Sequence, residues 1–131
     1  MSDNKVQPEQ ALDLHGARVL LVEDEYYIAD DVCRTLIAAG AQIVGPVSSF
    51  DKAELAVEAG GFDCAVVDLN LHGLSALPIA ERLLDEGKSF AITTGYGIES
   101  LPERLRCVPR IEKPFDPPAL IQLVGQLRCT D

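Results

Sequence analysis

The sequence predicts an α/β domain built on one parallel, doubly wound sheet. Short apolar runs alternate five times with segments of helical periodicity, which is typical of a parallel sheet covered on both faces. The runs are almost continuously apolar, as expected for strands buried on both sides, whereas half-exposed strands would alternate apolar and polar residues. A five-stranded sheet of this kind has the strand order 2-1-3-4-5. The competing interpretation is a fragment of a larger doubly wound enzyme.

Five short runs supply the predicted strands: ARVLLVE (17–23), AQIVG (41–45), FDCAVVD (62–68), SFAITT (89–94) and CVPRIE (107–112). The second run is expected to end at Gly45-Pro46. The fifth run contains Pro109, which cannot donate a hydrogen bond to a neighbouring strand, so this run is expected at an edge of the sheet.

Five helices are predicted to follow these strands, and the fourth is short. The first carries Ile28, Val32 and Leu36 at helical spacing and stops at Gly40. The other start and stop signals are Ser48 or Ser49 with Gly60-Gly61, Ser75 with Gly87, the short segment ESLPERLR (99–106), and Asp116 before Pro117. The residues expected to face the sheet in the third and fifth helices are Ile79, Leu83, Leu84, Leu120, Leu123, Val124 and Leu127.

Length and composition favour one domain without a membrane or nucleic-acid role. Residues 1–15 show no periodicity, so a flexible tail is predicted there and a single domain at 16–131. The net charge of −10 argues against direct nucleic-acid binding and fits basic partners or a bound cation, although solubility alone would explain it. No apolar run approaches the ~20 residues of a membrane span, and the N-terminus lacks the apolar core of a signal peptide. A cytoplasmic protein is therefore expected, and its four cysteines, which form no CxxC pair, are expected to be reduced.

Polar residues collect where the strands flanking the predicted switch point end. They are Glu23, Asp24 and Glu25 after the first strand, Asp68 at the end of the third, Thr93 and Thr94 at the end of the fourth, and Glu112 and Lys113 after the fifth. In open α/β sheets, ligands bind at this edge. Close carboxylates repel one another, and a divalent cation removes that cost; Mg²⁺ suits such hard oxygen ligands. The backbone carbonyl of Asn70 is a candidate further ligand.

These groups suit phosphoryl transfer onto a carboxylate. Asp68 would be the nucleophile, and Mg²⁺, Lys113 and Thr94 would share the phosphoryl oxygens. Each residue alone has a simpler interpretation. Asp24 or Glu25 would serve as a helix cap, Thr94 as a hydroxyl in a turn and Lys113 as a solvated surface charge. Their joint placement at one edge is what favours the functional hypothesis.

The chain resembles a response regulator receiver domain over about residues 17–128. Four motifs carry the resemblance: VLLVEDE (19–25), VVDLNLHG (66–73), TTGYG (93–97) and EKPF (112–115). The resemblance implies a flavodoxin-like (βα)5 fold. It also implies an Mg²⁺ site formed by Glu23, Asp24, Asp68 and the main-chain carbonyl of Asn70, with Asp68 as the phosphorylated residue. Thr94 and Lys113 correspond to the family's hydroxyl residue and lysine, and the bond between Lys113 and Pro114 is expected to be cis.

One position departs from the family pattern. Receivers commonly carry an aromatic residue three positions before the lysine, and this chain has Arg110 there. The stretch SFAITTGYG (89–97) instead resembles the FAT GUY subfamily, although Ser89, Ile92 and Thr93 depart from its motif. Members of that subfamily often lack the aromatic residue, so Tyr96 and the face near Arg110 are expected to carry the signal.

A stand-alone response regulator, which is not an enzyme, is expected, and a receiver cut from a longer chain is the alternative. A histidine kinase or histidine phosphotransferase would phosphorylate Asp68, and the output would be phosphorylation-dependent binding of a downstream protein or phosphate shuttling. The alternative is a receiver-like binding module that acts without phosphorylation. A phosphatase of the haloacid dehalogenase type is disfavoured because Asn70 stands where that family needs a second aspartate.

Overall fold

The five predicted strands form one parallel sheet in a computed structural model of the chain, which describes residues 13–94 and 101–128, with Thr94 described by its backbone alone. The strands are β1 (Arg18–Val22), β2 (Gln42–Val47), β3 (Cys64–Asp68), β4 (Ser89–Thr94) and β5 (Arg110–Glu112). Their order in the sheet is β2-β1-β3-β4-β5, and every neighbouring pair is parallel. The predicted fold class and strand order are confirmed.

The described residues contain four α-helices: α1 (Tyr26–Ala38), α2 (Phe50–Ala59), α3 (Leu77–Asp85) and α4 (Pro117–Arg128). The short fourth helix predicted at 99–106 is a three-residue 3₁₀ helix, Glu103–Leu105, within the described part of that segment. Pro102 immediately precedes this turn, and residues 95–100 lie outside the described residues. The strand after it begins only at Arg110, beyond Pro109, and forms the predicted edge.

Two of the predicted helix caps occupy the N-cap position, and a third lies one residue before it. The Glu25 carboxylate accepts a hydrogen bond from the Ile28 N–H at 3.0 Å, and the Ser49 hydroxyl accepts one from the Lys52 N–H at 3.2 Å. Ser75, the predicted cap of α3, pairs with Asn70 in a two-stranded antiparallel hairpin, residues 70–75, and its hydroxyl accepts a hydrogen bond from the N–H of Leu77, the first residue of α3, at 3.2 Å. The helix therefore begins after that hairpin, with Ala76 at its N-cap position.

Apolar side chains of alternate strand positions form one layer on each face of the sheet. Leu20, Val22, Ala65, Val67, Phe90 and Ile92 pack with α2 and α3 on one face. Val19, Leu21, Cys64, Val66 and Ala91 pack with α1 and α4 on the other. Burial of each large aliphatic side chain contributes roughly 1.5–3 kcal/mol, so the two layers fix the strands firmly. The loops at the carboxyl ends of β1 and β3 are thereby held at one edge.

The packed unit begins earlier than the predicted boundary at residue 16. Leu14 is fully buried in the layer beneath α1 and α4, and its N–H donates to the Ala39 carbonyl at 2.7 Å. The predicted tail therefore does not include Leu14, and residues 1–12 lie outside the described residues. Burying this leucine adds apolar contact at the end of α1, which explains why the chain packs there.

Strand β2 does not end at Gly45-Pro46 as predicted but continues to Val47. Its register against β1 shifts, because Leu20 lies opposite Val44 whereas Val22 lies opposite Val47. The Gly45-Pro46 bond is cis, and so is the Lys113-Pro114 bond, as the receiver resemblance implied. Among the described helices, none is both long and apolar enough to cross a membrane.

Candidate functional site

Three carboxylates converge at the carboxyl ends of β1 and β3. These strands are neighbours with Val22 opposite Val67, so Glu23 and Asp68 follow at the same level of the sheet. Both are buried, with 3% and 4% of their surface exposed. One carboxylate oxygen from each of Glu23, Asp24 and Asp68 lies within 4.8 Å of the other two. The structure thus brings together the three acids that the sequence placed at this edge.

Lys113 lies between two of these acids. Its Nζ atom is 3.0 Å from Oε1 of Glu23 and 3.0 Å from Oδ2 of Asp68. Burial alone would lower the pKa of Lys113, but its hydrogen bonds to Asp68 and Glu23 outweigh burial and raise the pKa. The lysine is therefore a charged ammonium group that links the ends of three strands.

The cluster carries more negative charge than this lysine can balance. Burial raises the pKa of Glu23 to about 7, and the nearby charge of Asp68 adds to that increase. The hydrogen bonds from the Glu25 N–H and from Lys113 act in the opposite direction without cancelling it. Glu23 therefore binds a proton near neutral pH, which a divalent cation would displace.

Backbone N–H groups orient each of the three carboxylates. The Glu25 N–H donates to Oε2 of Glu23 at 3.0 Å, and the Asn70 N–H donates to Oδ1 of Asp68 at 3.0 Å. The His72 N–H donates to Oδ2 of Asp24 at 2.6 Å. Hydrogen bonds to a charged carboxylate are strong, so these donors hold the acids in place before any ligand binds.

The contact between His72 and Asp24 was not predicted from the sequence. The imidazole is exposed, but its Nδ1 atom lies 3.3 Å from the same Asp24 oxygen that the backbone N–H contacts. His72 adopts a φ of +53°, which few residues other than glycine adopt. The following Gly73, with a φ of +83°, was the sequence signal for this tight turn.

The other residues that were predicted to belong to the site form no hydrogen bond with the three acids through their described side chains. Asn70 lies at the rim of the site, and its side-chain oxygen accepts a hydrogen bond from the Gly73 N–H at 2.9 Å, so that oxygen belongs to the hairpin turn. The Thr94 backbone ends β4 opposite Glu112. Arg110 is exposed on β5, where its Nη1 atom donates to the Arg106 carbonyl at 3.3 Å. Tyr96 lies outside the described residues.

A cleft of about 690 Å³ opens above the acids. Glu23, Asp24, Asp68 and Lys113 line its polar side, and Ile28, Leu77 and Leu101 are among its apolar lining residues. The cleft is therefore accessible to a metal ion and to a second molecule that brings an anionic group. A doubly wound sheet with such a cluster at the reversal of strand order is the class of α/β domain that receivers represent.

Comparisons with known proteins identify the family. No family model matches the sequence, and no curated protein matches it. SdrG from Sphingomonas melonis Fr1 is 33% identical, with a TM-score of 0.75 over 85% of this chain and 95% of that chain. A CheY-like response regulator receiver domain from Methylobacillus flagellatus is 25% identical, with a TM-score of 0.72 over 85% of this chain and 98% of that one. The response regulator PhyR from Brucella abortus is 25% identical, with a TM-score of 0.75, and the match covers 91% of this chain but 50% of PhyR.

The chain belongs to the response regulator receiver family. The resemblance of the four sequence motifs to this family is thereby confirmed. The FAT GUY assignment rests on residues 89–97, of which 95–97 lie outside the described residues, and it stays a prediction.

Proposed function

We propose that this receiver accepts a phosphoryl group on Asp68 in an Mg²⁺-dependent reaction. The observation that carries the proposal is the position of the Asp68 carboxylate, which is buried at the floor of an open cleft and bonded to Lys113. A carboxylate at such a site can act as a nucleophile, because positioning and cationic stabilisation are the main requirements of phosphoryl transfer.

The donor set fits Mg²⁺. Glu23, Asp24 and Asp68 offer carboxylate oxygens close enough to share one ion, and Asn70 would add its main-chain carbonyl. When bound, Mg²⁺ supplies positive charge that neutralises the acids and the incoming phosphoryl oxygens. One structural neighbour supports this assignment, and a second was solved in an activated conformation. TrrA from Thermotoga maritima was solved in complex with Mg²⁺-BeF, and SdrG was solved in a BeF3-activated conformation.

The chain's own residues perform the remaining steps. An oxygen of Asp68 attacks the phosphorus of a phosphorylated histidine, the O–P bond forms as the P–N bond breaks, and the electron pair stays on the imidazole nitrogen, which takes up a proton. The charged Lys113 is close enough to Asp68 to stabilise the transferred group. The role of Thr94 as a hydroxyl donor to that group stays a prediction.

We assign the donor to a histidine kinase or histidine phosphotransferase in the cytoplasm, and the output to a downstream protein partner or to phosphate shuttling. A chain with a net charge of −10 favours donors that present a basic surface around their histidine. Signalling through Tyr96 and the exposed Arg110 would replace the aromatic switch that this chain lacks. The proposal is for a signalling protein, because Asn70 cannot act as the second catalytic carboxyl group of a phosphatase.

The test is intact-mass spectrometry after incubation with acetyl phosphate and Mg²⁺. The wild-type chain is expected to gain one phosphoryl group, and Asp68→Asn or EDTA should abolish that gain. Asp63→Asn is the matched control, because Asp63 is exposed and lies immediately before β3, at the opposite end of the strand from Asp68. An adduct that persists in Asp68→Asn would refute the proposal. Absence of an adduct with both acetyl phosphate and phosphoramidate would favour the phosphorylation-independent binding module.

A further inference from the structure

We infer that Gly45 is a positioning residue for the acidic cluster, acting through a bulge in β2. The β2 bulge is defined here as residues Gly45–Val47. Three residues of β1, Leu20 to Val22, lie opposite four residues of β2, Val44 to Val47, so β2 contains one extra residue. Such bulges re-aim neighbouring groups and are frequent beside functional sites. The inference rests on the proposed function, because it concerns the Mg²⁺ site.

The bulge reaches the site through one backbone hydrogen bond. The extra residue brings the Val47 carbonyl opposite Glu23, whose N–H donates to it at 3.0 Å. Among the described residues, the end of β2 supplies the backbone partner of Glu23 on this side of β1. The position of the Glu23 peptide, and with it the start of the Asp24 backbone, therefore depends on the path of β2 after Gly45.

Only glycine fits at the first position of the bulge. Gly45 has a φ of +104°, a conformation that residues with a side chain rarely adopt. A Cβ atom there would lie 2.7 Å from the Val47 nitrogen and 3.1 Å from the Leu21 carbonyl oxygen. Both contacts are backbone atoms, which cannot rotate away. A side chain at position 45 must therefore displace either Val47 or the strand that leads into Glu23.

Such a displacement would misalign the acids relative to one another. Glu23 and Asp24 follow β1, which contacts β2, whereas Asp68 ends β3, which lies on the other side of β1. A shift transmitted from the bulge thus moves two carboxylates and leaves the third in place. Mg²⁺ demands near-ideal octahedral geometry, so a small misalignment weakens its binding.

The chain offers a closely matched control in Gly40. Gly40 has a φ of +105°, and a Cβ atom there would lie 2.9 Å from two backbone atoms of His15. Alanine at position 40 therefore creates the same kind of conformational strain and backbone clash. Gly40 precedes β2, and its N–H donates to the Ile37 carbonyl, at the end of the sheet remote from the acids.

The experiment compares Mg²⁺ affinity in the wild type, Gly45→Ala and Gly40→Ala, from backbone amide NMR shifts during titration. Urea midpoints are expected to fall in both variants. Gly45→Ala should weaken Mg²⁺ binding about tenfold, as loss of an orienting contact around a metal does. Gly40→Ala should bind Mg²⁺ within about twofold of the wild type, because distant sites act independently. Equal affinities in the two variants would overturn the inference.

Two other results can be distinguished from a failure of this inference alone. If the wild-type chain itself does not bind Mg²⁺, the metal site of the proposed function fails, and this inference fails with it. If Gly45→Ala does not fold, hydrogen exchange in the wild type decides, because coupling between the bulge and the metal must be reciprocal. Mg²⁺ should then slow exchange of the Val47 amide, within the bulge, more than that of the Gly40 amide, and equal slowing would overturn the inference.

Discussion

Strands β1 and β3 carry an ion pair at each of their two ends, and the two pairs are built differently. At the amino ends, Nη2 of Arg18 lies 3.2 Å from Oδ1 of Asp63, with 50% and 38% of these side chains exposed. At the carboxyl ends, Lys113 contacts Glu23 and Asp68, whose side chains are 2% and 6% exposed. The same pair of strands therefore ends once in a solvated pair and once in a buried cluster.

The pKa values show what burial changes. The Arg18 backbone N–H lowers the pKa of Asp63, and the Arg18 guanidinium adds to that effect. Burial raises the pKa of Glu23 to about 7, although Glu23 also accepts a backbone N–H and contacts a lysine. At the solvated end, folding favours the ionised form of Asp63. At the buried end, ionising Glu23 in the folded chain costs free energy, because its carboxylate is desolvated. Groups with perturbed pKa values are frequent at functional sites, where a bound ligand can lower the free-energy cost of ionising them.

The largest expected effect comes from removing the lysine of the buried cluster. Lys113→Met keeps most of the apolar stem but leaves Glu23 and Asp68 without their cation. Breaking a buried ion pair on one side typically costs about 3 kcal/mol, because the remaining charges stay desolvated. Urea unfolding at pH 8 in EDTA should show a loss of about this size. A loss below about 1 kcal/mol would mean that the cluster is as well solvated as the Arg18–Asp63 pair.

The second prediction concerns pH and uses Glu23 itself. The ordinary pKa of 4.5 rises to about 7 on folding, so the folded chain binds more protons than the unfolded chain between these pH values. The free energy of unfolding in EDTA should therefore fall as the pH rises from 4.5 to about 7. Glu23→Gln should remove this decline, and Mg²⁺ should reduce it in the wild type by favouring the charged carboxylate.

Asp63→Asn is the control for that experiment. The pKa of Asp63 is lowered from 3.8, so its stabilising contribution is present above that pH and is lost as the pH falls further. The variant should therefore keep the decline between pH 4.5 and about 7 that Glu23 produces. A flat profile in Asp63→Asn, or an unchanged decline in Glu23→Gln, would contradict the assignment of this titration to Glu23.

The buried end was predictable because it depends on topology. In a parallel sheet the carboxyl ends of neighbouring strands meet, so Glu23, Asp68 and Lys113 could be placed together from the ends of apolar runs. The order of the strands followed from the alternation of strands and helices. Apolar periodicity also placed Val32 and Leu36 on the buried side of α1, where the structure has them.

Features that depend on the path of a turn could not be predicted in this way. Ser75, which was predicted to cap α3, belongs to the hairpin that brings the His72 N–H to Asp24. Leu14 lies outside any periodic segment, yet it is buried because the end of α1 leaves an apolar space there. In each case the path of the backbone determines the contact, and the pattern of apolar and polar residues in the sequence does not report that path.

The smallest expected effect lies at the solvated end. Arg18→Met removes the guanidinium contact with Asp63 but keeps the Arg18 backbone N–H, which donates to Oδ2 of Asp63 at 2.8 Å. Exposed ion pairs typically contribute less than about 1 kcal/mol, so urea unfolding should show a loss of that size at low salt. The loss should shrink further in 1 M NaCl, where the screening length is about 3 Å.

Asp63→Ala separates the charge from the hydrogen bond at this end. It removes the acceptor of the backbone N–H as well as the ion pair, so it should cost more than Arg18→Met, by about 1 kcal/mol. Because a hydrogen bond at short range is screened less than an exposed ion pair, this excess should persist in 1 M NaCl. Equal losses in the two variants at high salt would show that the backbone contact adds nothing, and that the lowered pKa of Asp63 reflects the guanidinium alone.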